Sequence, residues 1–264
     1  WPRRKNLKNL LTVIVLAALT GCATWNLPDT QGDPKNASNY GYHPMDPLPV
    51  EVLSDTEVTK DRLMDALPDE TMRLAIGSFT ASGGVTYGPA KVGIEERQYV
   101  VVLDYVKFVT RSFGVAVTED EEGNKTASLT TNPSPDVVIP TYLGIGLRLQ
   151  ANIVVKEGEV DLGSLYALGA AAEANKVSGT LVIQTLGISG KEISGLVPMP
   201  SEISQSSIQN AIQSLATIKA KMYDADASVR PRVVGVYNNL GGGEETINGF
   251  ISALVEKPPK LRVD

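Results

Sequence analysis

Leu143-Gly144-Ile145-Gly146-Leu147-Arg148-Leu149-Gln150-Ala151-Asn152-Ile153-Val154-Val155 alternates at all but one position. Leu143, Ile145, Leu147, Leu149, Ala151, Ile153 and Val155 fall on one side. Gly144, Gly146, Arg148, Gln150, Asn152 and Lys156 fall on the other, with Val154 the exception. Successive side chains of a strand point to opposite faces, so a period of two defines a long half-buried strand. Its apolar face needs a cover, and its polar face is expected to look outward.

Downstream the period changes. Asp161 is placed to cap a helix through Leu162, Leu165, Leu168, Ala171 and Ala174, which Asn175-Lys176 ends. Val177 to Ile188 reads as a strand. A second helix begins near Ser201, with Ile203, Ile208, Ala211, Ile212, Leu215, Ile218 and Met222 forming its apolar stripe. Arg232 to Tyr237 is a β-branched strand, Gly241-Gly242-Gly243 a loop, and Thr246 to Val255 a last helix. The order from Tyr142 onward is therefore β-α-β-α-β-α, which favours helices on one face of a sheet with some parallel pairing.

Upstream the chain is β-rich. Met72 to Phe79 alternates and ends in Ser82-Gly83-Gly84. Gln98 to Thr110 and Phe113 to Thr118 follow. Glu119-Asp120-Glu121-Glu122-Gly123-Asn124-Lys125 then turns into Thr126 to Thr131 as a hairpin. A short helix from Ser54 to Leu67 is closed by Pro68. The expected fold class is α+β: a mixed sheet with helices on one face, β-rich in its first half.

The far N-terminus has a different character. Arg3, Arg4, Lys5 and Lys8 precede an apolar run from Leu10 to Leu19, and then comes Leu19-Thr20-Gly21-Cys22. A basic start, a short apolar segment and small residues make an export signal. The run is too short to cross a bilayer, which takes about 20 residues. The last four residues resemble the lipobox of bacterial lipoproteins: an aliphatic residue, two small ones and an invariant cysteine. That resemblance implies that Leu19, Thr20 and Gly21 are read by a signal peptidase, leaving residues 1–21 as signal peptide. It also implies that Cys22 carries a diacylglycerol and that its new amine is acylated with a chain such as palmitate. Ala23 and Thr24, where an acidic residue would retain such a protein at the inner membrane, imply the periplasmic side of the outer membrane.

Residues 22–50 read as a Pro-rich tether through Pro28, Pro34, Pro44, Pro47 and Pro49, which leaves 51–264 as the envelope domain. Fully extended, the tether reaches on the order of 90 Å. Cleavage before Cys22 removes four positive charges from a chain of net charge −6. The mature protein is then more acidic, which argues against nucleic-acid binding. Cys22 is the single cysteine, so its lipidation leaves no thiol for a disulfide.

Catalytic patterns are sparse. His43 is the single histidine and falls in the tether, whereas a Ser-His-Asp triad needs an imidazole held beside its nucleophile. One histidine and a lipidated cysteine do not build a zinc site. Glu119-Asp120-Glu121-Glu122 lacks the alternating ligands of a calcium loop. Gly241-Gly242-Gly243 is followed by Glu244-Glu245, where a phosphate cradle needs Lys-Ser/Thr. Ser189 and Lys191 lie two apart, without a nucleophile-elbow pattern. The expectation is a non-enzyme with no cofactor and no metal. Its partners would be the membrane, through Cys22, and an envelope protein complex of secretion, pilus or conjugation type, with self-association a further mode. Two alternatives stand beside this scaffold reading. One is a ring-forming β-barrel pore to which Leu143–Val155 contributes; a lipobox, a Pro-rich tether and an early strand from Arg73 to Phe79 are similar to lipid-anchored channels such as the curli exporter. The other is a lipoprotein that binds a small ligand.

Overall fold

The computed structural model describes residues 41–79, 84–87, 98–122, 125–132, 135, 137–238 and 244–263. Leu19-Thr20-Gly21-Cys22, the part of the expected tether before Gly41 and Gly241-Gly242-Gly243 lie outside the described residues. The fold is α+β: among the described residues there are five helices and a large antiparallel sheet.

The central strand is β7 (Val137–Val155), and its alternation is what pins it there. On one side it pairs along its full length with β5 (Gln98–Glu119), Leu149 opposite Leu103 and Leu147 opposite Tyr105. The two β segments expected between Gln98 and Thr118 are thus one continuous strand. β5 also pairs with β3 (Asp69–Phe79), which carries β4 (Val85–Tyr87) on its other side. At its far end β5 turns back into β6 (Lys125–Leu129), with Glu119 opposite Lys125, as the expected hairpin.

On its other side β7 has two neighbours in succession. β8 (Val177–Leu186) pairs with residues 146–155, and β12 (Arg232–Asn238) pairs with residues 141–144. The sheet forks there. β12 continues to β1 (Gly41–Pro49), whereas β8 carries only the two-residue β10 (Ser201–Glu202). The β12 branch curls over, so that His43 of β1 meets Tyr87 of β4 edge-on, 4.9 Å between ring centroids. The result is a trough closed along one side by side chains. Neighbouring strands leave no room for a side chain at two glycines of this curl: a Cβ on Gly146 of β7 would overlap the Tyr105 carbonyl oxygen of β5, and one on Gly235 of β12 would overlap the Tyr42 ring of β1.

β1 corrects the expected tether. Residues 41–50 belong to the folded domain, and Tyr42 and Met45 are buried. Pro44 and Pro49 read as breakers, but proline is admitted on an edge strand and at a bulge because its missing N–H is not needed there. β1 is such an edge, with its register broken between Pro44 and Leu48.

The expected parallel pairing is also corrected. Every pairing in the large sheet is antiparallel; among the described residues, the parallel pair is β13 (Lys260–Arg262) with β2 (Glu51–Leu53), which stands apart. The excursion after β7 is too short to cross a sheet this long. Its helix α2 (Leu165–Glu173) spans only about 13 Å. The Lys156 N–H donates to Lys176 O at 2.8 Å, which closes the excursion at the end where it began.

The odd-numbered face of β5 and β7 is covered by helices. Leu63 and Met64 of α1 (Lys60–Asp65), Leu165 and Leu168 of α2, Ile193 of α3 (Lys191–Leu196) and Ile208, Leu215 and Ile218 of α4 (Gln205–Lys221) pack with Leu103, Leu147, Leu149 and Ile153. Further along, Ile247, Phe250 and Leu254 of α5 (Glu244–Glu256) pack on Val115, Ala127, Ile139 and Leu143. Two helix starts differ from expectation. Ser164, not Asp161, caps α2, because the Asp161 carboxylate accepts instead from the Gly163 N–H in a local turn. Ser204 opens α4 with a reciprocal capping box to Ser207, and the two residues from Ser201 are strand. α1 is shorter than the expected Ser54–Leu67 helix, starting at its cap Thr59.

Candidate functional site

The polar face of β7 does not look to solvent where it faces the trough. Arg148 stands opposite Asp104 of β5 and is 3 % exposed; Asp104 is fully buried. Arg148 Nε donates to Asp104 Oδ1 and Nη2 to Oδ2, both at 2.8 Å, a bidentate pair. Nη1 donates to Met45 O at 2.8 Å and Nη2 to Val234 O at 3.2 Å. Those two carbonyls belong to the places where β1 and β12 lose register. A bulge leaves backbone groups without ladder partners, and Arg148 supplies the missing donors. The Tyr42 hydroxyl donates to Asp104 Oδ2 at 2.5 Å. Four strands of the trough are thus joined through one guanidinium and one carboxylate.

The electrostatics follow the geometry. Burial, then the Asp104 charge, push the Tyr42 hydroxyl well above its usual range, so it stays protonated and acts as a donor. Burial alone would lower Arg148, but its hydrogen bonds to Asp104 and that carboxylate's charge outweigh it, and the guanidinium stays charged. Arg73 of β3 flanks Asp104 from the other side. Its head is turned away, 5.8 Å over the Tyr142 ring, with Nη2 donating to the Tyr142 hydroxyl at 3.5 Å. The arrangement has no spare base. The Asp104 carboxylate accepts three hydrogen bonds, and its neighbours are donors.

His43 is placed by β1, which corrects the expectation of an imidazole in a tether. Its ring lies against Tyr87, and burial, followed by the charge of Arg148, lowers it to about 4. The unfolded imidazole, near 6.5, binds its proton first as pH falls. Stability is therefore full above pH 6.5 and falls as pH drops toward 4, by on the order of 3 kcal/mol. Denaturant unfolding at pH 7 and pH 4.5 checks this. His43→Phe should remove that share of the acid loss while keeping the ring contact; an unchanged acid loss in the variant would rule His43 out as its source.

The other candidate residues do not converge. Ser189 ends β9 (Ile188–Ser189), which pairs with β11 (Ser228–Val229); Lys191 opens α3, and both are exposed. In the acidic hairpin the Glu122 N–H donates to Asp120 Oδ1, a local turn. Glu192, Asp224 and Asp226 gather their oxygens within 4.8 Å of one another, but Lys221 Nζ already lies 3.0 Å from Glu192 and 2.7 Å from Asp224. That group is a surface ion-pair network. No family model, curated protein or solved structure matches the chain.

Proposed function

We propose that this chain is a lipid-anchored envelope protein that serves as a scaffold or assembly accessory, and that it is not an enzyme. The observation that carries the reading is Leu19-Thr20-Gly21-Cys22 behind its basic, apolar leader. The trough supports the non-catalytic half: Asp104, Arg148 and Tyr42 satisfy one another and two backbone carbonyls, as structural groups do. The finer layout belongs to the same reading, with the helices gathered on the convex face and the strand edges left for assembly. Open strand edges pair readily with other chains. The scaffold reading is favoured over the pore because helices cover the apolar face of Leu143–Val155, α5 at Leu143 and α2 and α4 beyond it. With β1 starting at Gly41, the segment from Cys22 extends to at most about 60 Å, not the 90 Å of a tether reaching residue 50.

The test is metabolic labelling with palmitate followed by mild crosslinking in membranes. Label should enter the intact chain and be lost in Cys22→Ala, and crosslinked species should depend on Cys22. Unlabelled protein that floats free of membranes would defeat the reading.

A further inference from the structure

Among the described residues, the outer edge of β8 is open from Val182 to Leu186. Proteins blunt such edges with charge, proline or a bulge. Val177-Ser178-Gly179-Thr180-Leu181-Val182-Ile183-Gln184-Thr185-Leu186 has no charged residue and no proline. Its ladder to β7 runs unbroken from Val177 to Leu186. β10 covers the outer edge only at Thr180 and Leu181, and Ile203 N–H donates to Gly179 O at 3.1 Å. Pro200, which has no N–H, stops β10 at Ser201. Among the described residues nothing pairs with the edge from Val182 to Leu186.

We propose that this edge pairs with the same edge of a second copy, antiparallel about a two-fold axis at Gln184. Hydrogen-bonding direction decides the register. The Gly179 carbonyl points outward, and directions alternate along a strand, so Ile183 and Thr185 also present their N–H and C=O groups outward. Centring on Gln184 sets Ile183 against Thr185 of the partner copy, and both are outward-bonding residues. Val182 then faces Leu186, and Gln184 faces itself across the closely spaced, non-hydrogen-bonded position. An isologous interface requires this kind of self-complementarity. Two acidic chains repel, and an uncharged segment is where they approach at least cost. The ladder spans five residues per copy, few beside the roughly 20–30 residues a side of a standard interface. The pairing is therefore a weak one, strengthened where a membrane anchor concentrates the chains.

The pairing sharpens the assembly reading by naming its first partner, and it is tested without the lipid. The full chain with Cys22→Ser should shift from monomer to dimer in sedimentation velocity between about 1 and 500 μM. Gln184→Lys sets two like charges against each other at the axis and should raise the dissociation constant at least about tenfold. Gln184→Cys in the Cys22→Ser background is then the single thiol. With dissolved oxygen and a copper catalyst as the oxidant, two such thiols should lose their protons and two electrons to form a disulfide-linked dimer, since directly opposite positions lie close to disulfide distance, while Gln150→Cys on the neighbouring strand should not. A wild-type monomer throughout that range, Gln184→Lys dimerising as wild type, or equal crosslinking by both thiol variants would each overturn the pairing. Circular dichroism confirms that the variants fold. A monomer would leave the palmitate test of the anchor untouched.

Discussion

Asp104→Asn is expected to destabilise the fold by about 3–5 kcal/mol, the range for breaking a buried ion pair by removing one partner. Arg148 would keep its charge in a site where it is 3 % exposed. The new amide offers one acceptor oxygen where the carboxylate offered two, and its N–H groups meet a guanidinium that can only donate. Replacing both partners, as Asp104→Leu with Arg148→Met, removes the stranded charge and should recover part of the loss. It should not recover all of it. Arg148 also satisfies Met45 O and Val234 O, and each buried carbonyl left bare costs about 1–3 kcal/mol. The ordering is thus wild type above the double variant above Asp104→Asn. Urea unfolding at pH 7 reads it, with the slope unchanged if the native shape survives. A loss under about 1 kcal/mol for Asp104→Asn would mean that the pair is solvated.

That cluster marks where sequence reading stops. The period of two over Leu143–Val155 placed β7 and its covered face, because alternation is local and burial of an apolar row under helices follows from it. The same pattern put Arg148 on a polar face that the curl of the sheet buries. The curl depends on bulges in β1 and β12 and on bare glycines in β7 and β12, features of pairing between segments far apart in sequence. One signal was present: Asp104 is the single charge between Tyr99 and Val106, inside a run otherwise apolar. A carboxylate there needs a buried partner, and Arg148 holds the matching place in the other long strand.

β1 shows the opposite failure. Pro44, Pro47 and Pro49 are a local signal against a strand, overruled because an edge strand does not need every N–H. Helix starts slipped for a related reason. Asp161, Ser164, Ser201 and Ser204 all have capping chemistry, and the choice fell to whichever side chain reached the N–H three residues on. Parallel pairing was misjudged because helix order alone does not show that Lys156 and Lys176 meet.

Phe250→Ala is expected to cost about 3–5 kcal/mol, as truncating a fully buried phenylalanine does. The loss should be local. Phe250 is fully buried at the centre of α5, 6.4 Å from Phe113 and packed among Val115, Ala127, Ile139 and Leu143. α5 lies so near β6 that a Cβ on Gly249 would be 3.1 Å from Ala127 O. The helix has little room to collapse into the void. This cluster is distinct from the one beneath α2 and α4. Amide exchange should therefore speed up in Lys125–Leu129 and in the outer end of β5, while Val177–Leu186 keeps its protection. Phe250→Leu keeps most of the volume and should lose less than about 1.5 kcal/mol. Equal acceleration in β6 and β8 would show that the two clusters open as one unit, and α5 would then be part of the main core rather than a separately melting cap on the hairpin.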